Sequence, residues 1–199
     1  MPGVICSRDY NMRCIGTALL FIISSYVSAD SWLPPSERGV VSTRGSVVVR
    51  VSPRQRDEND GYATAKYFRW SPPDSYELYL EISLLNPVAP VVSLVHENGT
   101  LFTLDNWYSN GHGEVVVMYK PNGEILRSYV LSDLYPDKKK RDKIRRSVSS
   151  IWWRCETVYP YIYNDTVEVY DTLGSFFAFN LKTGSYTYES SGIHCIGRI

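Results

Sequence analysis

A short alternating strand, a glycine-bearing tight turn and a second alternating strand recur along this chain. The pattern runs from Val91 to Trp107 around His96-Glu97-Asn98-Gly99, and from Val115 to Val130 around Lys120-Pro121-Asn122-Gly123. It returns from Phe176 to Tyr188 around Lys182-Thr183-Gly184. Successive residues of a strand point to opposite faces, so an alternating segment hides its apolar face only by joining a sheet. Asn98-Gly99 and Asn122-Gly123 predict two-residue hairpins of type I′, which need positive φ at both central positions. Turns at this spacing confine the chain to small antiparallel sheets.

After an aperiodic stretch at 32–38, strands are expected at 39–43 and 46–52 around Arg44-Gly45. A polar, turn-rich surface loop follows at 53–61. Strands at 62–70 and 76–84 are separated by Ser71-Pro72-Pro73-Asp74, through which no strand continues. A second set falls at 91–95, 101–104, 114–119 and 124–131, and a third at 160–163, 166–170, 175–180 and 185–189. Sixteen tyrosines and five tryptophans suit half-buried pleated surfaces, where wide, stiff side chains pack across strands. The expected class is all-β: about three four-stranded antiparallel propeller-like blades. Three blades do not close a ring of ordinary curvature. The propeller is therefore expected to be open or partial, or completed by self-association, unless the same strands form a sandwich. Neither a WD dipeptide pattern nor a kelch-like motif stands at matching positions.

One helix is expected between the second and third units. Ser132-Asp133-Leu134-Tyr135-Pro136 offers caps and an early proline, and seven of the ten residues at 137–146 are basic. Such a run reads as a patch for lipid headgroups, a cell-wall polyanion or nucleic acid. It reads equally as a solvated helical face with Leu134 and Ile144 turned inward, and that reading is preferred. Two apolar positions leave no stripe for membrane insertion.

The amino-terminal residues read as an export signal. Arg13 precedes an apolar run at 15–23, and Val27-Ser28-Ala29 supplies small residues before a cleavage site after Ala29. The run is too short to span a bilayer, which needs roughly 20 apolar residues. Met12 is an alternative start. Removing residues 1–29 takes away Arg8, Arg13 and Asp9, leaving 19 basic against 20 acidic residues. That balance argues against nucleic-acid binding. Residues 30–199 fit one secreted or periplasmic domain with no transmembrane anchor. Cys6 and Cys14 leave with the signal, and Cys155 and Cys195 are expected to pair in an oxidising compartment.

Four motifs stand together in the segment from Leu84 to Trp153. They are Leu85-Asn86-Pro87-Val88-Ala89-Pro90, Thr103-Leu104-Asp105-Asn106-Trp107, Gly111-His112-Gly113, and Ser147-Val148-Ser149-Ser150 with Trp152-Trp153-Arg154. As a set they resemble a group of secreted, β-propeller-like bacterial proteins of uncharacterised function, over about residues 41–188. The resemblance implies export and a β-rich, propeller-like build. It transfers no reaction and no catalytic residue.

Asp105, Asn106, Trp107, His112 and Trp153 are the candidate binding residues. Strand-end loops gather at one face of a propeller, where a rigid sheet positions them for ligands. Asp, Asn and His suit a sugar or a metal, and Trp107 suits a pyranose face. The structural alternative is that Asp and Asn bond their own turn, the glycines supply positive φ and the tryptophan fills space between sheets. Ser147, Ser149 and Ser150 lack the G-x-S-x-G and S-x-x-K settings of a nucleophile. His96, His112 and His194 form no metal-binding spacing, so neither metal nor cofactor is expected. The favoured function is a non-catalytic module that binds an unidentified protein or small ligand. The alternatives are an extracellular carbohydrate hydrolase or lyase using Asp105 and His112, and a polyanion-binding surface protein using 138–146.

Overall fold

The computed structural model describes residues 32–54, 61–193 and 195. The expected export signal, part of the polar loop expected at 53–61 and His194 lie outside the described residues.

Among the described residues, twelve strands form three four-stranded antiparallel sheets. The first contains β1 (Arg38–Val41), β2 (Val47–Ser52), β3 (Thr64–Ser71) and β4 (Ser75–Ser83). The middle sheet contains β5 (Pro90–Val95), β6 (Leu101–Asn106), β7 (Glu114–Tyr119) and β8 (Ile125–Val130). The third contains β9 (Tyr161–Tyr163), β10 (Thr166–Tyr170), β11 (Ser175–Asn180) and β12 (Tyr186–Ser190). Within each sheet, neighbours in sequence are neighbours in space. The architecture is that of an open, partial propeller.

Parity along the strands decides what each face meets. All six residues of β6 are buried, because the middle sheet is covered on both sides. Leu101, Val117 and Tyr119 pack with Val47, Val49, Val51, Ala65 and Tyr67 of the first sheet. Phe102, Leu104, Val116 and Met118 turn the other way, toward Val167, Val169, Phe177 and Phe179 of the third. The register Leu101↔Tyr119 and Phe102↔Met118 keeps the two sets apart. A slip of one residue would exchange them, so both cores enforce the same pairing. The inner edges also meet, with β1 and β2 against β5.

The hairpins differ from the type I′ expectation. Gly99 N donates to His96 O at 2.9 Å, and Gly123 N donates to Lys120 O at 2.9 Å. Gly99 and Gly123 have positive φ, whereas Asn98 and Asn122 do not. These are three-residue loops in which glycine takes the left-handed position. Pro121 explains the choice at the second loop: its ring fixes negative φ and suits the first central position. Asn98 and Asn122 instead accept backbone N–H bonds from Thr100 and Glu124 at 2.8 and 3.1 Å. Gly123 has a second reason to lack a side chain, since a Cβ there would collide with Ile82 of β4.

The single basic helix expected over 132–146 is also corrected. Two one-turn helices stand there, α1 (Leu131–Leu134) and α2 (Lys138–Arg141). Asp137 caps α2, its Oδ1 accepting from Lys139 N at 2.8 Å. Helix this short does not persist by propensity and is held by its surroundings. Beyond α2, Ile144 is drawn into the core and Arg146 bridges Ile151 as an isolated antiparallel pair, which ends the helix. Leu134 and Ile144 do turn inward. Cys155 and Cys195 are disulfide-bonded and fasten the start of the third unit to the tail.

Candidate functional site

The end of β6 carries a buried polar knot. Asp105 has φ 57° and is 1% exposed, so its carboxylate turns under the loop that follows. Its Oδ1 accepts from Gly111 N at 3.0 Å and from Trp153 Nε1 at 2.7 Å. Its Oδ2 accepts from Arg154 Nε at 2.7 Å. Gly111 fits because a Cβ there would lie 2.6 Å from Ile151 O. The loop, the middle sheet and the segment leading to β9 therefore close on one carboxylate.

Asn86 and Asn106 extend the knot on its other side. Asn86 Nδ2 donates to Asp105 O at 3.0 Å and to Asn106 Oδ1 at 2.9 Å. Asn106 Nδ2 donates to His112 O at 2.7 Å and to Glu114 O at 3.2 Å. Each amide thus uses both its oxygen and its nitrogen inside the fold. Only the carbonyl of His112 takes part here, and the residue is exposed.

Of the five sequence candidates, the fold joins Asp105, Asn106 and Trp153 and places Trp107 and His112 elsewhere. Asp105 is sealed beneath Trp153 and Arg154, which are themselves buried. Trp107 is half-buried beside Trp32, with ring centroids 5.5 Å apart, and its Nε1 donates to Leu33 O at 2.8 Å. The Arg38 guanidinium lies 4.8 Å from the Trp107 ring centroid.

That aromatic–guanidinium pair borders an open groove of about 310 Å³ at the inner edges of the sheets. Pro35, Arg38, Pro90, Ser93, Trp107 and Tyr159 line it among others. Arg38 is exposed, and its Nη1 also donates to Val91 O at 3.2 Å. Tyr159 is 65% exposed and lines the same groove. Against protein-family models and against curated proteins, the chain finds no match. The groove must therefore be read from its own chemistry.

A second buried carboxylate repeats the first. Asp171 follows β10 as Asp105 closes β6, each at the end of a second strand. Asp171 accepts from Tyr135 and Tyr188 hydroxyls at 2.9 and 2.7 Å, and from Leu173 and Ser175 amides at 2.9 and 2.8 Å. Burial, then the adjacent Asp171 charge, pushes the Tyr135 phenol far above its ordinary value. Burial and Asp171 also raise Tyr188. Arg154 joins the two sites, because its side chain meets Asp105 while its backbone bridges Asp171.

The basic run is turned onto the protein at several points. Lys138 pairs with Asp142 at 2.5 Å, and Arg141 Nη1 donates to Tyr135 O at 2.6 Å. Lys140 Nζ lies 3.9 Å from the Tyr188 ring centroid, and the Arg145 guanidinium lies 5.1 Å from that of Trp152. Among the described residues, no helix is long and apolar enough to cross a membrane, and no metal-binding cluster occurs.

Sequence reasoning missed Arg38 and Tyr159, which lie outside every strand-end loop it singled out. It also gave Asn86 and Arg154 no individual role. A signal for Arg154 existed: a buried strand-end carboxylate needs a cation, and Arg154 directly follows Trp153, one of the candidate residues.

Proposed function

We propose that the chain is an exported, non-catalytic binding module whose ligand enters the groove bounded by Arg38, Trp107 and Tyr159. The observation that carries this reading is an exposed guanidinium held against an indole in a groove that an exposed tyrosine also lines. Trp107 is occupied by Trp32 and Arg38, so its task is to fix Arg38 in place. Tyr159 offers the open ring face, and Arg38 offers charge and planar donors. A volume of about 310 Å³ is at the small end of ligand sites. A ring bearing a carboxylate, such as an acidic sugar, fits that combination.

The hydrolase reading is disfavoured by the setting of Asp105. A general acid or base needs hydrogen-bond reach to the reacting atom. Three donors and two large side chains stand between this carboxylate and solvent. Export is supported by the disulfide, by the resemblance of the motifs to secreted proteins and by the amino-terminal pattern. Material recovered from outside the cytoplasm should begin at Asp30, and retention of Met1 or Met12 there would contradict the reading.

The test is calorimetric titration of the protein with uronic acids and with the matching neutral sugars. Binding of the acidic members, weakened at least tenfold by Arg38→Ala or Tyr159→Ala at unchanged melting temperature, is the expected result. Equal binding of neutral and acidic rings, or none of either, would overturn the assignment.

A further inference from the structure

Among the described residues, the three stacked sheets have two internal interfaces and leave two faces uncovered. One is the outer face of the first sheet. Its register aligns Val41, Val48, Phe68 and Leu78 in one row across all four strands. Val41 is 58% exposed and Leu78 is 51% exposed. Trp70 and Tyr76 extend the apolar surface at one end, with rings 5.2 Å apart. On the other side runs a charged row of Arg50, Lys66 and Glu81. Arg50 also reaches Glu37 at 3.6 Å, and Lys66 reaches Glu81 at 3.4 Å.

The second free face is the outer side of the third sheet. Tyr170 and Phe176 pair across β10 and β11 and stack with centroids 5.4 Å apart. Ala178 and Tyr161 lie beside them in the row that contains Glu168. Glu189 pairs with Phe176 across β12. Each free face thus sets an apolar row beside a charged row. The charges differ: the first sheet supplies Arg50 and Lys66 balanced by Glu37 and Glu81, and the third supplies Glu168 and Glu189 alone.

We infer that a second copy of this chain covers both faces. The outer face of the first sheet of one copy stacks on the outer face of the third sheet of the other, and the contact occurs twice. Two arcs of three blades then make a closed ring of six. Rings of four to eight blades are the ordinary range for this architecture, and a head-to-tail contact closes when its rotation permits. Charge selects this pairing over third face on third face, which would set Glu168 and Glu189 against their own copies.

Area agrees. Strands spaced about 4.8 Å apart and rising about 3.3 Å per residue give each four-stranded face roughly 400 Å² in projection. Two faces per chain come to about 800 Å² per partner, the size of a standard stable interface. The same stacking already holds the three sheets of one chain together.

Sedimentation equilibrium of the native protein, with zero-length carboxylate–amine crosslinking and peptide mapping, tests the inference. The expected result is a two-copy particle in which Lys66 of one copy crosslinks to Glu168 or Glu189 of the other. Leu78→Glu should convert it to monomer with an unchanged circular dichroism spectrum, because Leu78 is exposed and outside both cores. A monomer at every concentration overturns the inference, whether the faces are bare or covered by the chain's own leader. A dimer linked from Lys66 to Glu81 of the other copy, an assembly larger than two, or a dimer indifferent to Leu78→Glu also overturns it. None of these outcomes bears on ligand binding in the groove, which is read separately by titration.

Discussion

Arg154 donates its Nε to Asp105 Oδ2 at 2.7 Å, and the two side chains are 10% and 1% exposed. The pair joins the end of β6 to the segment that leads into the third sheet, where Arg154 also bridges Asp171. Removing one partner of a buried ion pair leaves the other charge stranded, which costs about 3–5 kcal/mol. Asp105→Ala strands Arg154, Trp153 Nε1 and Gly111 N together and should fall in that range. Asp105→Asn should cost less, because it keeps an acceptor and tolerates positive φ. Equilibrium denaturation measures both, and an Asp105→Ala protein of wild-type stability would refute the structural role.

His112 provides the contrast. The residue is exposed and contributes its carbonyl to Asn106, which any residue supplies. His112→Ala should change stability by less than about 0.5 kcal/mol, as surface substitutions do. A loss above 1 kcal/mol in the same denaturation experiment would show that the ring has a structural partner.

Gly111 and Gly192 separate backbone strain from steric collision. Both have positive φ, but a Cβ on Gly192 meets nothing within 4 Å, whereas one on Gly111 would lie 2.6 Å from Ile151 O. Gly192→Ala should cost about 1–2 kcal/mol at most, the left-handed penalty alone. Gly111→Ala should cost distinctly more. Equal melting temperatures for the two variants would contradict the close approach.

Alkali should unfold the protein from within its core. Burial pushes Tyr119 up to about 12, and burial also raises Tyr67 and Tyr135. The folded state holds these protons more tightly than the unfolded chain, whose phenols titrate near 10. Their contribution to stability is therefore complete below about pH 10 and is lost as pH rises through the folded values. Phenolate absorbance of these groups should appear together with loss of near-ultraviolet dichroism. Titration of every tyrosine near pH 10 with the fold intact would contradict this.

The disulfide should matter without defining the fold. It closes a separation of 40 residues, worth about 4 kcal/mol on the chain-entropy model. The bridged loop contains the third sheet, but neither hydrophobic core includes the two cysteines themselves. Reduction, or Cys155→Ser with Cys195→Ser, should lower the melting temperature while preserving the β-sheet dichroism spectrum. Loss of that spectrum on reduction would make the bridge a condition of folding.

The alternating runs and their glycine turns by themselves determined an all-β chain of three four-stranded sheets. Period two is a local property, visible wherever Leu101 to Leu104 or Val167 to Val169 is read. Pairing of Cys155 with Cys195 was legible too, because only two cysteines follow the expected cleavage site after Ala29. Less local features were not. Asn122-Gly123 suggested a type I′ turn where Pro121 sets a three-residue loop, and Ile144, drawn into the core, ended a helix that the basic run suggested. Tertiary structure alone decided the fate of the candidate residues. Asp105, Asn106 and Trp153 read equally as ligand groups or as scaffold until Asn86, Arg154 and Gly111 were seen to consume their polar atoms. Arg38 and Tyr159 border one groove although 121 positions separate them. Packing between sheets brings such residues together, and no periodicity within a strand records which face of another sheet will cover it.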